Sequence, residues 1–68
     1  MKSLGERLLE LREKCAGDKD YSLSHAISEV RVYDLYDLAD DCISSLHLWR
    51  VVAIERAAMR ELRKEGKL

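Results

Sequence analysis

The stretch Leu46–Ile54, Leu-His-Leu-Trp-Arg-Val-Val-Ala-Ile, constrains the fold more than any other. Seven of its nine residues are apolar, and it holds the only tryptophan. Alone it could pass for a buried strand. It runs without a breaker into Glu-Arg-Ala-Ala-Met-Arg-Glu-Leu, which is rich in strong helix formers. The whole stretch therefore reads as helix, and on a helix these apolar residues point in every direction, so more than one side must be covered. Arg60, Arg63, Lys64 and Lys67 load the C-terminal end, as the helix dipole favours. Gly66 is placed to close it. The spacing predicts a helix over 44–65.

The N-terminal segment is the second clear element. Ser3-Leu4-Gly5-Glu6 fits a capping box, in which hydroxyl and carboxylate each take the other residue's amide. Leu4, Leu8, Leu11 and Cys15 follow as one apolar stripe. Gly17 is placed to stop the helix through a left-handed residue. A helix over 4–16 is expected, with Gly17-Asp18-Lys19-Asp20 as a loop.

The middle of the chain is harder to read. Val30-Arg31-Val32 alternates like a short strand. Tyr33–Ile43 instead sorts at the helical period: Leu35, Leu38 and Cys42 on one stripe, Tyr36, Ala39 and Ile43 on a second, Asp34, Asp37 and Asp41 on a polar third. That favours a helix over about 22–39. Asp40, Asp41, Ser44 and Ser45 suit a helix N-terminus better than an interior, so a break is expected between 39 and 45. No glycine or proline enforces it, and one continuous helix over 22–65 is the other possibility.

Sixty-eight residues make one domain, 1–68, with little surface to bury. Two cysteines without a Cys-x-x-Cys do not form a disulfide framework. No signal peptide opens the chain and no run reaches membrane-span length. A cytoplasmic protein with reduced thiols is expected, away from membranes. Helices 4–16 and 22–39 offer too little apolar surface to cover Leu46, Leu48, Trp49, Val51, Val52 and Ile54 together. The expected architecture is therefore all-α, three helices in a small bundle completed by homodimerisation. Leu46, Trp49, Val52 and the small residues Ala53 and Ala57 are the expected dimer or partner interface.

Net charge is −1 but unevenly spread. Residues 1–17 carry four basic and three acidic groups, residues 18–41 two and seven, and residues 42–68 six and three. An acidic middle and a basic end suggest segments that face each other, within one chain or between two. Arg56, Arg60, Lys64 and Lys67 form a basic stripe that would take an anion. His47 and Arg50, three apart, mark the solvent-facing seam of the apolar run.

No nucleophile elbow, phosphate-binding glycine loop or His-Glu-x-x-His occurs. No enzyme, catalytic residue or cofactor is expected. Cys15, Cys42, His25 and His47 lack zinc-site spacing, so no metal is expected and the cysteines read as small core residues.

The stretch Glu29-Val-Arg-Val…Leu38-Ala…Ile43-Ser44-Ser45 resembles a ribbon-helix-helix DNA-binding protein. The resemblance implies a short strand that pairs across a dimer and reads the major groove, with Glu29 and Arg31 on the reading face. The glycine usual in the helix connection is missing here. Two function classes follow. One is a non-enzymatic regulatory or adaptor protein acting through helix-mediated dimerisation and protein binding. The alternative is a small dimeric DNA-binding transcriptional regulator, ribbon-helix-helix-like or helix-turn-helix-like; the nucleic-acid signal is the weaker, because the acidic middle segment repels phosphate.

Overall fold

A computed structural model describes residues 2–17, 28, 30–32, 35–44 and 46–68. Three helices are delimited among them: α1 Leu4–Gly17, α2 Tyr36–Ser44 and α3 His47–Lys64. Ser28, Val30, Arg31 and Val32 are also helical, and no strand occurs among the described residues. The all-α expectation holds at that level.

α1 begins as its sequence dictates. The Ser3 amide donates to Glu6 Oε1 at 3.1 Å, and the Glu6 amide to Ser3 Oγ at 3.3 Å. Leu8, Leu11 and Cys15 are buried along one face. Gly17 is the last residue of the helix and is not itself left-handed, contrary to expectation, since Gly66 is the glycine with positive φ among the described residues; Asp18, Lys19 and Asp20 of the expected loop lie outside the described residues.

α1 and α3 form the main contact, and they run antiparallel. Gly5 lies against Leu62 near one end, and Arg12 Nε sits 3.6 Å from Glu55 further along. Gly5 is buried, and a Cβ there would fall 2.7 Å from Leu62 Cγ and 3.0 Å from the Leu62 amide nitrogen. Only glycine allows the first turn of α1 to approach the last turns of α3 this closely. Ile54, Ala57, Ala58 and Leu62 of α3 turn inward. With Leu8, Leu11, Cys15, Leu38, Ala39 and Cys42, Ile54 and the alanines build the core.

The middle segment departs from its sequence reading. The helix expected over 22–39 is interrupted at Leu35; residues 22–27 lie outside the described residues. The Leu35 amide donates to the Val30 carbonyl at 3.1 Å, and the Leu35 carbonyl accepts from Ala39 at 3.0 Å, opening α2. Packing explains the interruption. Val30 and Ala39 are both buried. Nine residues apart on one continuous helix, they would point about 180° from each other. A break lets both reach one core. Val30, Arg31 and Val32, which alternate like a strand, are helical, so the strand that the ribbon-helix-helix resemblance requires is not formed there. Glu29 lies outside the described residues.

α2 then runs past the expected stop at 39, and the chain breaks between Ser44 and His47, which removes the continuous-rod alternative. Asp40 and Asp41 lie inside α2 rather than starting α3. Ser44 ends α2, its hydroxyl 3.0 Å from the Asp40 carbonyl oxygen and 3.3 Å from that of Asp41. Such back-bonding uses the hydroxyl that an N-cap would have needed. Leu46, with extended backbone (ψ 162°), takes the N-cap position of α3 without a side-chain cap.

α3 closes as expected. Gly66 adopts φ +76°, its amide donates to the Arg63 carbonyl, and the Lys67 amide to that of Leu62. These two bonds are a Schellman motif.

Candidate functional site

α3 is one helix with two kinds of outer surface. Its inward side is set by Ile54, Ala57, Ala58 and Leu62. At about 100° per residue, Leu48, Trp49 and Val52 fall on the opposite side, followed one to three turns later by Arg56, Met59, Arg60 and Arg63. The burial pattern agrees. Leu46 is 77% exposed, Leu48 68% and Trp49 57%. Arg56, Arg60 and Arg63 are exposed, while Val52 and Met59 are half-buried. The outer face is thus apolar in its first half and basic in its second. An open groove of about 500 Å³ follows it, lined among the described residues by Val52, Glu55, Arg56, Met59, Arg60 and Arg63.

The residues expected at the interface are split by the fold. Leu46 and Trp49 are open to solvent, and Val52 lines the groove. Ala53 is half-buried and leans on the core. Ala57 is 4% exposed inside the core, so the close helix approach that small residues allow takes place within the chain. The exposed Ile43 of α2 lies three residues before Leu46 in the chain.

His47 and Arg50 do not mark the solvent side. Both are half-buried. Arg50 Nε donates to the Cys42 carbonyl oxygen at 2.7 Å. The last turn of α2 has no basic residue of its own. Arg50 supplies a cation to its orphan carbonyls from the next helix. The seam is therefore a staple between α2 and α3, and the solvent side is the one carrying Trp49.

The basic stripe is divided in the same way. Lys67 Nζ lies 2.7 Å from Glu6 Oε1, and Lys64 Nζ 3.5 Å from Glu61. Lys67 therefore helps lock the end of α3 to α1, where Gly5 also donates its amide to Glu65 Oε2 at 3.1 Å. The Lys67 hydrogen bond, followed by those with Ser3, holds the Glu6 carboxyl down at about 2. Lys67 is raised by the same partner. Arg56, Arg60 and Arg63 have no ion-pair partner among the described residues. Sequence reasoning left Arg63 out of the stripe because it followed i, i+4, i+8, a series that drifts about 40° per step. The seven-residue step from Arg56 to Arg63 drifts only about 20°, which is the signal that would have found it.

Cys15 and Cys42 are buried free thiols. Burial, followed by the neighbouring Cys15, pushes the Cys42 thiol up, so it stays protonated and a poor nucleophile. Asp37, Asp40 and Asp41 are exposed on α2, and no group of three His, Cys, Asp or Glu is set to hold a metal ion among the described residues. Asp34 and His25 lie outside them. No described helix is long and apolar enough to cross a membrane. Comparison of the chain with protein-family models, with characterised proteins and with solved structures yields no match.

Proposed function

We propose that the protein is a non-enzymatic regulatory or adaptor protein of the cytoplasm that works through helix-mediated dimerisation and protein binding. The observation that carries this reading is the exposure of Leu46, Leu48 and Trp49, with Ile43 exposed three residues earlier in the chain. Contiguous exposed apolar side chains of this size mark interaction surfaces on small soluble domains. Tryptophan in particular anchors protein interfaces, since it removes a large apolar area from water with few torsions to freeze. The experiment is a sedimentation concentration series read together with tryptophan emission. Association with a blue shift of Trp49 is expected. A monomer with water-exposed Trp49 at every concentration overturns the dimer.

A second reading is a DNA-binding regulator, favoured by the three guanidiniums of Arg56, Arg60 and Arg63 on one groove. Binding to duplex DNA would fall steeply with salt as counterions are released. Reversal of Arg56 and Arg60 would abolish it. An adaptor ignores duplex at physiological salt.

A further inference from the structure

The outer face of α3 presents apolar residues followed by unpaired guanidiniums, and α2 presents the complement. Tyr36 and Ile43 are exposed seven residues apart, and Asp40 lies between them on the same side at about 100° per residue, with Asp37 alongside. Asp37 and Asp40 have no ion-pair partner among the described residues. The geometry points to a second copy of this chain as the occupant of the α3 outer face, docked reciprocally, with α2 of each copy lying antiparallel on α3 of the other. This inference rests on the dimer reading above and assigns its register.

Spacing supports the match. In the antiparallel register Ile43 meets Trp49 and Val52, Asp40 meets Arg56, and Asp37 meets Arg60. Asp37 and Asp40 are about 4.5 Å apart along their axis, and Arg56 and Arg60 about 6 Å along theirs, at 1.5 Å per residue. Each carboxylate therefore reaches its own guanidinium, a pairing that suits arginine's fork. Parallel pairing of two α3 faces would stack Arg56, Arg60 and Arg63 on their own copies. An isologous dimer of the crossed kind makes every contact twice, so Asp37, Asp40, Arg56 and Arg60 are paired in both copies. The uneven charge of the sequence, acidic in the middle and basic at the end, has its counterpart in this arrangement.

The test uses two full-length variants, Asp37→Lys/Asp40→Lys and Arg56→Glu/Arg60→Glu, with sedimentation as readout and far-ultraviolet circular dichroism to confirm folding. Each alone is expected to weaken self-association by at least about tenfold, because attraction becomes repulsion at both copies. Mixed one to one, they are expected to form a heterodimer, since the lysine-bearing α2 then meets the glutamate-bearing α3 while the other crossing keeps its native Asp–Arg pairs. Asp40→Lys alone, which spares the N-terminal carboxylate of α2, should weaken the dimer in the same direction. A dimer indifferent to both charge reversals, yet lost in Trp49→Ala, overturns this register and leaves the dimer reading standing. Failure of the mixture to associate when each variant is folded also overturns it. A wild-type chain monomeric at all concentrations overturns both.

Discussion

The two ends of α3 behave differently. At its C-terminal end Leu62 closes on Gly5, Glu65 accepts the Gly5 amide, and Lys67 meets Glu6. At its N-terminal end Leu46, Leu48 and Trp49 stand in solvent. The more polar end is the one satisfied within the chain, and the more apolar end is the one left open. Hydrophobicity alone therefore does not decide which part of a small domain becomes its core. Availability of a partner surface does, and α1 runs antiparallel to α3 with its glycine-assisted closest approach at the C-terminal end.

The contrast breaks or sharpens under substitution. The largest expected effect is Ile54→Ala, about 2–5 kcal/mol of lost stability, because Ile54 is fully buried and a cavity would remain. Trp49→Ala in the dilute chain should stay within about 0.5 kcal/mol. Urea denaturation of both at low concentration checks this, and equal losses would mean that Trp49 is covered after all. Next comes Gly5→Ala, where overpacking against Leu62 should cost about 1–2 kcal/mol after the gain in helix propensity is set against it. A stabilised Gly5→Ala would show that the latched end is loose. Arg50→Met removes the cation from the end of α2 and should lose about 1 kcal/mol, with the loss of protection in hydrogen exchange concentrated in α2.

The smallest effect is electrostatic. Glu6 ionises at about 2 in the folded chain against an ordinary 4.5, so its contribution is present above pH 4.5 and fades as pH falls towards 2. Lys67 is raised, so its contribution is present below about 10.5 and is lost as pH climbs through the raised value. Both groups are exposed and screened, which keeps the effect modest. The acid limb of the urea midpoint should be shallower in Glu6→Gln; an unchanged limb would remove Glu6 from the latch.

Much of the fold is legible in the residues. The Ser3–Glu6 capping box, the Leu8–Leu11–Cys15 stripe, the helix through Lys64 and its closure at Gly66 all depend on neighbours within a turn or two of chain. The candidate site is legible in part. Leu46, Trp49, Val52, Arg56 and Arg60 share the outer surface as their spacing suggests, whereas Ala57 belongs to the core and Lys67 to the latch. Sequence spacing ranks faces of a helix but does not say which one a neighbour will cover.

Helicity, the N-terminal end of α1, the C-terminal end of α3 and the apolar excess of Leu46–Ile54 are local properties, written in propensities, caps and periodicity. The break at Leu35, the inward turn of Arg50 and the choice of the Trp49 side as the open one are not. No glycine or proline marks the break, and Arg50 reads as a surface residue until the Cys42 carbonyl is brought within 2.7 Å of it. Those features arise because Val30, Leu38, Ala39 and Cys42 must all share one core with α1 and α3. A constraint of that kind acts between residues distant in the chain, and only the packed structure carries it.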